Sequence, residues 1–553
     1  MFNVRRSLLL VCLCVLFAGL GYGQAYPMCN ASSVPPQLRS EGLTELTGDI
    51  FLVCTGGNPP GPGNPALTAT ITVYLNGQVT SRLLGSGGAS EALLLIDDPG
   101  SQSPSATGVP YGETVPAVAC GSASLGAGAG GCVEYVGSNG STPANYAALS
   151  SSNNLGVLVS GSATSGSPGA NVFQGVVGGN TVTFNNVPVL PMVGGIRTLR
   201  ITNIRVNALG IAGGPSNTGS VVASISGLPI TYPGNTGTVP TGFISPSLTT
   251  SQSNAFSTGT SGFSNSITLS QNQSYPSSGS TPVALETLVF SEAQANGFKM
   301  RGSTSQNVPG TITYTESGLT INGVPGSGYA DWGTRLKAVF SNVPNGISLY
   351  VSTTNLNAGY NAPMGTVANA GSLTGSSFAM LISSETAADT GPSTTLANNF
   401  TPWVPAVAQT GASSASVTGA AAASPVGFAQ LTISNGAASA VWEVVNSKPN
   451  ALENFAFEVF VVQTGGVPQA PSTMVVNMSY APDPTQGAFT LATGMQASST
   501  LGIGRFADSS TTQTALSIVA PASVPALSPW AAGALAVLLA AIAAILARRL
   551  KQA

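Results

Sequence analysis

The chain has no histidine anywhere in its 553 residues. That absence removes Ser-His-Asp and Cys-His nucleophilic catalysis, His-ligated metal centres, and haem attachment through Cys-x-x-Cys-His. A serine–lysine arrangement stays formally open. However, no Ser-x-x-Lys occurs, and Lys299, Lys337 and Lys448 are the only lysines besides Lys551. Charge is scarce too, at 6% of residues, against about 25% in ordinary globular domains. Five of the sixteen basic residues lie at the extreme ends (Arg5, Arg6, Arg548, Arg549 and Lys551), which leaves eleven against nineteen acids between them. A nucleic-acid partner needs a basic footprint, and none exists here.

The missing charge has been replaced by Gly, Ser, Thr and Asn, while 43% of the chain remains hydrophobic. Disorder usually combines low hydrophobicity with high net charge. This sequence has neither, so it reads as a folded chain with a neutral hydrogen-bonding surface, long enough for about three or four domains.

The middle reads as strands. Ala69-Thr70-Ile71-Thr72-Val73-Tyr74-Leu75 alternates and is β-branched, and Asn76-Gly77 follows as a hairpin signal. Further strand candidates are Asp49–Cys54, Ala92–Ile96, Thr181–Phe184, Thr198–Val206, Val221–Ile225, Thr311–Thr315 and Ser348–Thr353. Phe455–Gln463 and Thr473–Tyr480, separated by Gly465-Gly466 and two prolines, suggest a strand pair. Outside the terminal segments no long stretch holds a helical period. The expected fold class is all-β, with multiple β-sandwich (Ig-like) domains between an N-terminal signal peptide and a C-terminal transmembrane helix.

From Val206 to Leu285 no residue is charged, and 233–283 reads as a Ser/Thr/Gly/Asn-rich linker or weakly ordered β region. The expected organisation begins with a leader over 1–23 and a stapled β domain over 24–150. A β domain or its continuation follows over 151–232. Beyond the linker come a β-sandwich region over 284–506, a spacer over 507–523 and a sorting segment over 524–553. The F-x-N-V-P match between Phe184–Pro188 and Phe340–Pro344 hints at duplication, though chance accounts for it in so biased a sequence.

At the start, Arg5-Arg6, an apolar run from Leu8 to Leu20 and Gly21-Tyr22-Gly23-Gln24-Ala25 form a secretory signal, with cleavage after Gly23 or Ala25 fitting equally well. Four cysteines then remain: Cys29, Cys54, Cys120 and Cys132. Three disulfide connectivities are open, of which the local pairs Cys29–Cys54 and Cys120–Cys132 are the simplest. A zinc site lacks both Cys-x-x-Cys spacing and histidine, and no metal or cofactor is expected.

At the other end, Trp530 to Ala547 carry no polar side chain, and Arg548, Arg549 and Lys551 follow as a stop-transfer cluster. Eighteen residues at 1.5 Å rise cover about 27 Å, just enough for a bilayer core. Ahead of them stand Val524, Pro525, Ala526, Leu527, Ser528, Pro529 and Trp530. This stretch resembles the Ile-Pro-Thr-Leu-Ser-x-Trp-Gly signature of IPTL-CTERM sorting domains, relatives of the PEP-CTERM tails processed by exosortases in Gram-negative bacteria. Pro525, Leu527, Ser528 and Trp530 keep the spacing, while Val524, Ala526 and Ala531 depart from the usual Ile, Thr and Gly. The resemblance covers some thirty residues. It implies an exosortase-type partner at the membrane, removal of the helix, and release to the outer surface or matrix. Without processing, the tail is a plain single-span anchor.

Chemistry-bearing motifs are few. Asp389-Thr390-Gly391 copies half of an aspartic-protease signature, but no second copy exists. Asp97-Asp98 reads as a strand-end turn, with calcium as the rival. Trp332 and Trp403 are candidates for glycan contact, whereas Trp442 reads as core. The expected role is that of a non-enzymatic structural or adhesive surface protein at the cell envelope or outside it. The alternatives are a glycan-processing enzyme using paired carboxylates and a glycan-binding module. Glycan and self-association are the open partner classes beyond the membrane.

Overall fold

Alternation sets the pattern of burial in the strand Thr68–Leu75, where Ala69, Ile71, Val73 and Leu75 point inward and Thr70 and Tyr74 face solvent. In the computed structural model of the chain, such strands dominate. The structure describes residues 26–57, 65–97, 117–132, 157–159, 162–164, 170–189, 196–254, 266–268, 286–302, 315–321, 323–352, 355, 377–382, 385, 428–448, 451–463, 472–482, 502–507, 511–519 and 529–550. The leader over 1–23 lies outside them, as do residues 311–314 of one strand candidate.

The first unit is an eleven-stranded sheet, larger than either sheet of an immunoglobulin-type sandwich. Its order begins Ile230–Thr231, Met28–Ser33, Ile50–Thr55, Ile196–Thr202, Ala89–Ile96 and Val172–Gly178. It continues through Thr181–Pro188, Thr68–Leu75, Gly219–Ser226 and Val239–Ser245 to Gln37–Arg39. Neighbours pair antiparallel except at the two ends, where short strands join parallel. One core runs from Cys29 to Ile244 and takes side chains from both sides of residue 150. The strand Ala89–Ile96 is buried at every position. Ala92, Leu94 and Ile96 enter this core, while Leu93 and Leu95 meet Leu319 and Val324 on the opposite face. A strand covered on both faces reads as a continuous apolar run, which explains Ala92-Leu93-Leu94-Leu95-Ile96.

The second unit has two sheets. One is ordered Leu248–Asn254, Glu286–Glu292, Asn454–Gln463, Ile347–Ser352, Phe428–Gln430. The other is ordered Ser266–Thr268, Thr511–Val519, Ser472–Ala481, Arg335–Ser341, Ala438–Asn446, Phe378–Leu381. Both feed a single core. Across it, Trp442 stacks on Phe457 of the facing sheet at 4.1 Å, with Phe290 edge-on at 6.2 Å. Each such pair adds about 0.5–1.5 kcal/mol to the burial of its area.

Three expectations change. The strands Asn454–Gln463 and Ser472–Ala481 belong to different sheets, so the connection between them changes layer and closes no hairpin. Asn76-Gly77 is likewise no hairpin, since Thr68–Leu75 pairs with Thr181–Pro188 and Gly219–Ser226. There the Asn76 carboxamide donates to Ser220 O and accepts from Val222 N, extending the ladder as a surrogate strand. Within 233–283, residues Val239–Ser245 complete the first sheet and Leu248–Asn254 open the second unit.

Described helices are short or terminal. Ala208–Ala212 is capped by Asn207, whose side chain accepts from Gly210 N, and ends on Gly213 at φ 75°. Pro529–Leu550 covers 22 residues, about 33 Å at helical rise. Among the described residues no helix is long and apolar enough to cross a membrane.

Candidate functional site

The scarce charges are mostly inside. Of the eleven basic residues between the two ends, nine are buried: Arg39, Arg197, Arg200, Arg205, Lys299, Arg301, Arg335, Lys337 and Arg505. Charged side chains are almost never buried unless paired. The pairs concentrate on a seam where the two units meet.

Arg39 ends the edge strand Gln37–Arg39, and its guanidinium is the centre of the seam. Nε donates to Glu45 Oε1 at 2.8 Å, Nη1 to Glu316 Oε1 at 2.7 Å, and Nη2 to Glu316 Oε2 at 2.8 Å. Nη1 also reaches Gly297 O at 3.1 Å and Thr334 Oγ1 at 3.0 Å. The Thr334 hydroxyl in turn donates to Glu316 Oε1 and accepts the Lys299 backbone N–H. Lys299 Nζ stands 3.7 Å from Glu45 Oε2. Arg205 fills the next position: Nε donates to Glu91 Oε1 at 3.0 Å, Nη1 to Thr44 O and Nη2 to Glu316 O. Arg82 pairs with Asp331 across the same boundary.

At Arg39, Glu45 and Lys299 burial acts against the charge, and the partners decide the outcome. Burial pulls the Arg39 guanidinium down, but Glu316 and Glu45 outweigh it and hold the group well above its ordinary value. Burial pushes Glu45 up, but Arg39 and Lys299 hold it below the usual carboxylate range. Lys299 has no such surplus, and burial lowers its ammonium. Breaking a buried pair from one side strands the other charge, at about 3–5 kcal/mol.

A short segment, residues 502–507, straps the seam. Leu43 N donates to Arg505 O, Ala507 N to Glu41 O, and Gly504 N to Thr44 Oγ1. Trp332 Nε1 donates to Gly504 O at 2.9 Å. Phe506 is fully buried beneath Arg39, 4.6 Å from its guanidinium carbon, and stacks on Tyr480 at 4.5 Å. Gly504 has φ 96°, and a Cβ there would lie 2.8 Å from Trp332 Nε1, so only glycine fits.

Beside the strap, Glu41 accepts from Ser247 N, Leu248 N and Ser247 Oγ, and Ser247 Oγ contacts Tyr480 OH at 2.9 Å. In this seam Arg39, Glu41, Glu45, Glu91, Arg205, Lys299 and Glu316 are buried, while Arg82 and Asp331 are partly exposed. Its chemistry is that of a fixed electrostatic joint.

Among the residues singled out from sequence, Cys29 is bonded to Cys54 and Cys120 to Cys132. Cys29 and Cys54 are also direct partners in the antiparallel ladder of Met28–Ser33 and Ile50–Thr55. Val524, Pro525, Ala526, Leu527, Ser528 and Lys551 lie outside the described residues; Trp530 and Arg549 lie on the terminal helix, where Arg548 is exposed. Trp332 is buried, with the Arg335 guanidinium 4.6 Å over its ring, so it offers no glycan platform. Trp442 is core, and Trp403 and Asp389 lie outside the described residues. Asp97 sits at φ 53° and pairs with Arg197 across the sheet, so the expected strand-end turn is also an ion pair. Among the described residues no group of three or more His, Cys, Asp or Glu is placed to hold a metal ion. The seam itself went unread in the sequence. The available signal was the rarity of arginine between the ends, which makes each one costly to place without purpose.

No family model and no curated protein matches the chain. Among solved structures it is similar to the C-terminal domain of the AgI/II polypeptide BspA of Streptococcus agalactiae, at 8% identity, 82% of this chain, 95% of that chain and a TM-score of 0.23. It is also similar to the CFA/I adhesin CfaE of enterotoxigenic E. coli, at 10% identity, 84% of this chain, 96% of that chain and a TM-score of 0.16. The CupB6 tip adhesin of Pseudomonas aeruginosa matches at 8% identity, 83% of this chain, 96% of that chain and a TM-score of 0.13. TM-scores of this size assign neither a fold family nor a function.

Proposed function

We propose that this chain is an exported, non-enzymatic surface or matrix protein with a structural or adhesive role, built of β-sandwich units. It is delivered to the envelope by its leader and held or sorted there by its C-terminal tail. The observation that carries this reading is an inversion. Nine of the eleven cations of the body are buried, while the described apolar side chains of the terminal helix are exposed. Val537, Leu538, Leu539, Ile542, Ile545 and Leu546 are each 45–70% exposed. An apolar helix bare on all its described sides needs a lipid or protein cover, and Arg548 at its end suits the headgroup side of a bilayer. A body joined by a buried ionic seam and dressed in Ser, Thr and Asn suits display more than turnover.

Cell fractionation with intact-mass measurement of the mature protein tests the reading. A chain ending before Trp530, recovered from the outer surface or medium, supports sorting through the IPTL-like tail. A chain keeping Arg548 in the membrane fraction supports a retained anchor. Recovery of the complete chain, leader included, from the cytoplasm would overturn both.

A further inference from the structure

Next to the ion-paired seam lie three buried carboxyls that form no ion pair among the described residues. Glu41 is held by Ser247 and Leu248. Glu292, at the end of the strand Glu286–Glu292, accepts from Phe298 N at 2.6 Å and Glu453 N at 2.9 Å. Glu453 accepts from Lys448 N and Ser377 Oγ, and its Oε2 has no hydrogen-bond partner. All three are buried, at 2%, 6% and 6% exposure. They are linked through the backbone: Ser247, which Glu41 holds, accepts the N–H of Ala293, and Glu292 N donates to Glu453 O.

These acids position the parts of the joint. Glu292 fixes the turn that sends Gly297 O to Arg39 and Lys299 to Glu45. Glu41 fixes the crossing from the first unit into the strand Leu248–Asn254. We propose that the joint between the two units is closed by protons, tightening in mildly acidic surroundings and loosening as the buried carboxyls Glu41, Glu292 and Glu453 lose theirs. The groups facing them are Tyr480, Arg39 and Lys448. Arg39 is already committed to Glu45 and Glu316, and Lys448 is exposed, its charge lowering Glu453 by less than burial raises it.

Burial raises all three carboxyls, and the charge of Glu453 adds to the rise of Glu292, which reaches about 7. A carboxyl raised in the folded state keeps its proton where the unfolded chain has lost it. The Glu292 contribution is therefore full below about 4.5 and is lost as pH rises through about 7, and Glu41 and Glu453 act in the same direction. The chain has no histidine, so no ordinary side chain titrates in that interval to mask the effect.

The test is thermal unfolding of the mature protein between pH 5 and pH 8 at fixed salt. Alongside it, hydrogen exchange of 245–248 and 292–299 is measured by mass spectrometry and corrected for the intrinsic rate. The expected result is a midpoint that falls by about 2–4 °C from pH 5 to pH 8, with protection at both segments falling at least threefold more than in Arg335–Ser341. Glu292→Gln flattens the slope. Glu443→Gln, which strips Arg335 of its partner and leaves Glu41, Glu292 and Glu453 unaltered, lowers the midpoint alike at every pH. A flat or rising midpoint in the unaltered protein overturns the proposal. So does a loss of protection spread evenly over both units, and neither result requires any variant to fold.

Discussion

Arg39 and Glu316 stand 277 residues apart in the chain and meet in two parallel hydrogen bonds of 2.7 and 2.8 Å. Bidentate pairs of this kind combine energy with a fixed geometry, and this one spans the boundary between the units. Arg39→Met should cost about 3–5 kcal/mol, because Glu316 is left buried without its cation and Glu45 keeps only Lys299. Glu316→Gln should cost a similar amount. Urea titration of each single variant and of the double variant checks this: the double should cost clearly less than the sum.

The strap predicts a local lesion. Phe506→Ala removes a fully buried ring that lies under Arg39 and against Tyr480, and should cost about 3–5 kcal/mol. Loss of the seam contacts should appear as faster proteolysis after 502–507 at temperatures where the unaltered chain resists. A stability equal to the unaltered chain would show that the strap bears no weight.

Gly504→Ala tests the same place from the backbone side. A side chain at φ 96° with its Cβ 2.8 Å from Trp332 Nε1 should cost about 1–3 kcal/mol. It should also shift Trp332 emission to the red as the indole loses Gly504 O. Gly121→Ala, whose Cβ meets nothing within 4 Å, serves as the neutral comparison.

Removing the two cystines should have unequal effects. In the chain-entropy account, the bridge of sequence separation 25 contributes about 3–4 kcal/mol and the bridge of separation 12 about 3 kcal/mol. Cys29→Ala with Cys54→Ala should therefore lower the melting midpoint at least as much as Cys120→Ala with Cys132→Ala. Reductant should abolish the difference between either variant and the unaltered chain only if both bridges open.

The F-x-N-V-P pair has a physical reading. In both copies the Phe and Val are buried and the Asn between them has positive φ, 42° at Asn186 and 58° at Asn342. Asn tolerates this left-handed conformation better than other non-glycine residues. Asn342→Gly should be neutral within about 0.5 kcal/mol and Asn342→Val should cost about 1–2 kcal/mol, a contrast that thermal melts resolve.

Strand positions were legible because alternation is local: Thr68–Leu75 and Gly219–Ser226 follow directly from their β-branched pattern. Pairing was not. Asn454–Gln463 and Ser472–Ala481 look like neighbours, yet they face each other across a core because their partners, Glu286–Glu292 and Arg335–Ser341, come from far upstream. The seam was hidden for the same reason. Arg39, Arg205, Lys299, Glu316 and Phe506 acquire meaning only once the fold brings them together, and none carries a spacing that announces it.

The buried placement of the cations has a consequence for the environments this body can occupy. Surface ion pairs weaken within a Debye length that shrinks from about 30 Å at 0.01 M to about 3 Å at 1 M salt. Charges sealed behind sheets are beyond the reach of those mobile ions, and the exterior offers few of its own for them to shield. A body built this way should keep one shape and one surface character in fresh water and in brine.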